Sequence, residues 1–159
     1  FRHIGTSFFG QGEEADLYEM MNHLASQISP GSEGLRCEPL FTGTRKDPGR
    51  RGIWTGVGTS NFTPGHMSRA LLEGLSQQFR DLYGEMESLG AGGRTKLVGA
   101  GNGIRKNSLL QSILEKDFEM KMTIPKHKEE AAFGAALLAA VGSGRFSSLS
   151  QAGSIIQYQ

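Results

Sequence analysis

Apolar residues recur at helical spacing over 13–28, where Leu17, Met20, Met21, Leu24 and Ile28 share one face of EEADLYEMMNHLASQI. SPGSEG then breaks the pattern. CEPLF and GIWTGVG have short-strand character, and the loop between them, TGTRKDPGRRG, is rich in glycine and basic residues. Thr63 and Pro64 supply an N-cap and a first helical position. Behind them Met67, Ala70, Leu71, Leu75, Phe79, Leu82 and Met86 mark a long helix that LGAGGR ends. TKLVG is a strand of the buried type. A helix from Asn107 to Lys116 follows, with Asn107 as its cap, then the strand EMKMTI and the connection PKHKE. The last clear helix lies in EEAAFGAALLAAVGSG, where Glu129 and Glu130 suit the positive end of the helix dipole. The tail RFSSLSQAGSIIQYQ has the weakest pattern. Helices interleaved with strands predict an α/β layered domain.

The stretch LVGAGNGIRKNSLLQSIL places three glycines between a strand and a helix. Glycine there costs folding entropy, so a tight turn or a closely approaching ligand must justify it. Such a unit can cradle an anion at a helix N-terminus or let a flat ring lie on bare backbone. Residues 99–107, GAGNGIRKN, do not supply the G-x-x-x-x-G-K-[ST] phosphate loop, and Ile104 breaks G-x-G-x-x-G. Spacing alone leaves the structural turn and the ligand platform both open.

Composition narrows the partners. The chain has 159 residues, 37% hydrophobic and 21% charged, enough for one domain with a real core. A formal charge of +1 gives no electrostatic reason to expect nucleic acid or a membrane. Cys37 is the single cysteine, which excludes an internal disulfide and fits a reducing, cytoplasmic setting. His3, His23, His66 and His127 are scattered without zinc spacing, so no metal site is expected within the chain. The longest apolar run, 131–141, is far short of a membrane span. The chain begins with Phe and has no basic-then-apolar leader, so a fragment or processed product is expected.

The ordered blocks bring in a family. LVGAGNGIRKNSLLQSILEKDF, an apolar strand and EEAAFGAALLAAV together resemble the end of the FGGY family of carbohydrate kinases. GIWTGV and HMSRALLE resemble its C-terminal signature through Gly52, Trp54, Gly56, Val57, His66, Met67, Ala70, Leu72 and Glu73, with Leu71 where a smaller residue is usual. Within that family EPLFTGTR and the basic residue before Asn107 resemble the sedoheptulokinase branch, with xylulokinases as near competitors.

The resemblance implies an actin/hexokinase-like ATPase fold, RNase H-like, with residues 1–159 forming the C-terminal, nucleotide-binding domain of a two-domain sugar kinase, incomplete at its N-terminus. It implies ATP and Mg as cofactors, a small sugar as substrate, and the N-terminal kinase domain of the same protein as partner. The layer would contain TKLVG and its following helix, with the 63–86 helix on that sheet. The nucleotide would contact Gly99, Gly101, Asn102 and Gly103, with Lys106 near the ribose or phosphates. HIGTSFF resembles the phosphate turn that opens the second domain, which assigns Gly5 and Thr6 to phosphate. Asn102 replaces a usual small residue, and Lys106 stands where relatives often have Asn. No aspartate of this chain matches the family's catalytic base, so no catalytic residue is assigned and the chain alone is expected to be inactive. A non-catalytic module of the same fold is the other reading.

Other residues are read as structural. Trp54, His66 and Glu73 are assigned to the fold, and the costly Gly134 to a close backbone crossing. Arg45, Arg50 and Arg51 form a basic loop, either solvated or meeting phosphate.

Overall fold

Thr63 starts the longest helix as its sequence requires. Its Oγ1 accepts the His66 amide at 3.4 Å, and Pro64 at the first helical position has no N–H to leave unpaired. The computed structural model describes residues 14–159, so the HIGTSFF turn with Gly5 and Thr6 lies outside the described residues. The chain divides into two compact units, Phe1–Ala91 and Gly92–Gln159.

In the first unit the described elements are α1 (Glu14–Ser26), a single 3-10 turn (Ser32–Gly34), β1 (Arg36–Glu38), β2 (Ile53–Thr55) and α2 (Pro64–Ser88). β1 and β2 pair antiparallel with Cys37 opposite Trp54. β1 begins one residue before CEPLF and stops at Glu38, because Pro39 has no amide to give a ladder. Leu35, Cys37 and Ala70 form the buried cluster, with Trp54, Met67 and Leu71 packed against it. α2 therefore lies on β1 along one face and on α1 along another. Gly74 permits that approach: a Cβ there would fall on the Cys37 carbonyl.

The turn ahead of β1 is left-handed over four successive residues, with φ of 89° at Gly31, 47° at Ser32, 50° at Glu33 and 88° at Gly34. Two of these have side chains, at a cost of about 1–2 kcal/mol each. Glu73 of α2 offsets it. Its carboxylate accepts the Gly31 amide at 3.0 Å, the fully buried Ser32 hydroxyl at 3.3 Å and Arg69 Nε at 2.7 Å. Asn61 Nδ2 donates to the Glu33 carbonyl at 3.0 Å. The structural reading of Glu73 thus has its cause.

The second unit contains β3 (Leu97–Val98), α3 (Asn102–Arg105), α4 (Ser108–Phe118), β4 (Met122–Thr123), α5 (Glu130–Gly142) and α6 (Leu149–Gly153). β3 and β4 are parallel, Leu97 opposite Met122, as a crossover through a helix requires. Leu110, Ile113 and Leu114 bury one face of α4. Glu115 holds the end of α4 to β4 by accepting the Met122 amide at 2.8 Å. The tail, which the pattern left weakest, is ordered by pairing. Tyr158 bridges Pro125, Lys126 N donates to the Gln157 carbonyl at 2.9 Å and Gln159 N to that of Ile124 at 2.8 Å. Lys96 Nζ sits 3.5 Å from the centre of the Tyr158 ring.

Two expectations change. TKLVG is not enclosed here: β3 packs chiefly against β4, and Val98 is 43% exposed. Within its own unit α2 packs on α1, β1 and the 32–34 turn. No close crossing meets Gly134, since a Cβ there has nothing within 4 Å. α5 is apolar on every side yet has no buried residue, and Leu138 is 60% exposed. A helix of that composition is normally enclosed.

Two glycines of α2 give opposite predictions. Ala in place of an interior helical Gly gains about 0.5–1 kcal/mol from propensity. At Gly84, where a Cβ meets nothing within 4 Å, that gain stands alone. At Gly74 the Cβ meets backbone that cannot rotate away, and overpacking of about 1–3 kcal/mol outweighs it. Thermal unfolding should show a raised Tm for Gly84→Ala and a lowered one for Gly74→Ala.

Candidate functional site

β3 runs directly into the glycine loop, and the loop's glycines divide by environment. Gly99 continues the ladder, donating to the Thr123 carbonyl at 3.0 Å, and is buried. A Cβ on it would meet Met122 Sδ, Ile104 at 2.7 Å and Ile124 at 2.9 Å. Packing beneath the loop is therefore enough to require glycine there. Gly101 is different: it is exposed at φ 87°, ψ 158°, and opens the one-turn helix α3. Gly103 is exposed too, and a Cβ at either Gly101 or Gly103 meets nothing within 4 Å. Asn102 and Lys106 are also exposed. Of the residues expected to contact nucleotide, Gly101, Asn102, Gly103 and Lys106 share this open turn, and Gly99 forms its floor. Asn107 caps α4, its Oδ1 accepting the Leu110 amide at 2.9 Å.

What holds the turn was not apparent from spacing. Arg105, the last residue of α3, donates its backbone N–H to the Gly101 carbonyl at 3.0 Å. Its guanidinium donates to the Pro125 carbonyl at 2.6 Å, to the His127 carbonyl at 2.8 Å, and through Nε to Glu130 Oε1 at 3.1 Å, with a second contact from Nη2 to the same oxygen. One planar fork thus ties the glycine loop to the connection after β4 and to the first turn of α5. His127 itself is stacked on Phe133, ring centres 3.8 Å apart. The Arg105 hydrogen bond holds the Glu130 carboxyl below its ordinary range, and the amides of Glu130 itself and of Gly101 add to that effect. The sequence offered Arg105 only as a cation before Lys106 and Glu130 only as a dipole partner.

The remaining candidates are structural. His66 is 7% exposed, its Nδ1 lies 2.7 Å from Thr63 Oγ1, and its Nε2 is 3.6 Å from Glu33. Arg50 pairs with Glu38, and Arg51 donates to the Pro48 and Arg50 carbonyls at 2.8 and 2.9 Å. The basic loop therefore spends one of its three arginines on β1 and one on itself. Burial, with Glu38 beside it, pushes the Cys37 thiol up to about 11, which keeps it protonated. Among the described residues no group of three His, Cys, Asp or Glu could hold a metal ion, and no helix is long and apolar enough to cross a membrane.

Residues 3–143 match the C-terminal domain of the FGGY family of carbohydrate kinases. The chain belongs to that family. It is 30% identical over 139 residues to glycerol kinase 2 of Sulfolobus acidocaldarius, covering 86% of this chain and 27% of that protein. It is 34% identical over 137 residues to an L-fuculokinase of Salmonella typhi, covering 85% and 27%. The structure matches xylulose kinase from Rhodospirillum rubrum with a TM-score of 0.80 at 25% identity, over 99% of this chain and 31% of that one. The chain thus spans between a quarter and a third of the length of these relatives. Its fold is that of the C-terminal domain of actin/hexokinase-like sugar kinases. None of these three relatives is a sedoheptulokinase.

Glu130 gives the loop a pH dependence. A carboxyl whose folded pKa lies below its ordinary 4.5 contributes stability that is complete above that value and is lost as pH falls through the folded one. Wild-type protein should therefore lose Tm more steeply on acidification below pH 4.5 than Glu130→Gln does. Parallel Tm–pH curves for the two would contradict the clamp.

Proposed function

We propose that this chain is the ATP-binding C-terminal part of a kinase that phosphorylates a sugar hydroxyl. The reading rests on the open face of Gly101 and Gly103, where a β-carbon on either residue would meet no atom within 4 Å. That face accommodates a flat ring against backbone, and Asn102 and Lys106 border it. Lys106 would lie towards the ribose or phosphates, and Gly5 and Thr6 are assigned to phosphate by their resemblance to the family's phosphate turn. Mg-ATP, when bound, supplies the phosphoryl group and the charge neutralisation on which such transfers depend. The chain's own residues bind and orient the nucleotide. Metal ligands and the base that takes the sugar proton are assigned to the rest of the protein.

Sedoheptulose is the substrate supported by the resemblance of EPLFTGTR and of Lys106–Asn107. A xylulose-type ketose is the second reading, favoured by the match to the Rhodospirillum rubrum xylulose kinase over 99% of the chain. Assay of the intact protein against sedoheptulose, xylulose, ribulose, glycerol, fuculose and gluconate decides between them. The 159-residue chain alone should show no turnover with any of them.

Gly103 is the sharper place to test the platform. At Gly101 the positive φ strains any side chain, whereas at Gly103 the backbone is helical and the space is empty. In the intact kinase Gly103→Val should raise the ATP KM by about tenfold, equivalent to about 1.4 kcal/mol, with the sugar KM and Tm little changed. Unaltered ATP affinity in a folded Gly103→Val protein would leave the glycine serving only the turn.

A further inference from the structure

We propose that Arg105 and Glu130 are positioning residues for nucleotide binding, fixing the turn that Gly101 opens so that the loop's bare face is ready for its ligand. The inference rests on the reading of that face as the nucleotide platform.

Gly101 sits at φ 87°, ψ 158°, a region in which glycine is free to move and which no regular element imposes. Arg105 holds the Gly101 carbonyl through its backbone N–H at 3.0 Å, and Glu130 faces Arg105 from the first turn of α5. The same two residues grip each other through the guanidinium, whose side chain is 15% exposed against 21% for Glu130. Arg105 is fastened in turn to the Pro125 and His127 carbonyls at 2.6 and 2.8 Å, so the pair is fixed to the connection and cannot follow the loop. A lysine has no planar fork and lacks the Nε donor, so it cannot reproduce the paired contact to Glu130.

The arrangement has a chemical consequence for what the loop accepts. The Arg105 guanidinium is taken up by the Glu130 carboxylate and the Pro125 and His127 carbonyls, so this turn does not offer that cation to a phosphate. The uncharged part of a nucleotide suits it instead. Holding that surface in its binding geometry beforehand lowers the ordering cost of association.

The test uses the intact kinase with three single variants, Arg105→Lys, Glu130→Gln and Gly103→Val, and ADP as the probe in titration calorimetry. Arg105→Lys and Glu130→Gln should each raise the ADP Kd about fivefold or more, equivalent to about 1 kcal/mol, while the sugar KM stays within about twofold. Amide exchange at residue 105, whose N–H donates to the Gly101 carbonyl, should accelerate in both, and the double variant should be no weaker than the worse single one, because the two act as a unit. If Arg105→Lys does not fold, Glu130→Gln, which keeps shape and volume, decides. Unchanged ADP affinity in folded Glu130→Gln, with Gly103→Val weakened, overturns the positioning role and leaves the platform standing. Gly103→Val without effect on ADP removes the platform reading and this inference with it.

Discussion

The guanidinium of Arg105 meets the glycine loop's own helix, the connection after β4 and the first turn of α5 at a single point. Those segments lack a shared ladder or a broad apolar seam to join them. β3 and β4 are only two residues long, and α5 has no buried residue. Between those segments the second unit uses a charge-assisted fork, in which one side chain satisfies two carbonyls and a carboxylate. The geometry of the open glycine face follows from that fastening.

The first unit solves a similar problem with the opposite charge. A run of left-handed residues leads into β1, and the Glu73 carboxylate reaches from α2 to hold its first amide and the buried Ser32 hydroxyl. Arg69 pairs with that carboxylate and orients it from one helical turn away. In each unit, then, an ion pair anchored on a helix stabilises irregular backbone that hydrophobic contact alone would leave loose.

The elements were legible because their signals are local. The Thr63–Pro64 start, the Asn107 cap and the apolar face of α4 each depend on a few neighbouring residues, and each appears where the pattern puts it. Family membership was legible from the order of blocks. Enclosure was not. The composition of TKLVG and of the Gly134 helix describes how apolar a segment is, and nothing in it names the surface that will cover it. Within this unit Val98 and Leu138 stand exposed. The clamp escaped for a related reason: Arg105 and Glu130 are 25 residues apart, and their meeting depends on the β3–β4 pairing that brings the connection back beside the loop. Gly99 and Gly101, alike in sequence, differ because only one of them lies over Met122 and Ile124.

The pairing of the tail with the connection after β4 bears on association between chains. Short parallel strands leave unpaired amides and carbonyls along their margin, and such a margin is a template on which another polypeptide can add. Here the backbone of Gln157 and Gln159 already occupies the groups of Lys126 and Ile124, while Lys96 lies across the Tyr158 ring. The last residues of the chain thus act as a selvedge, finishing an edge that would otherwise invite intermolecular β-pairing.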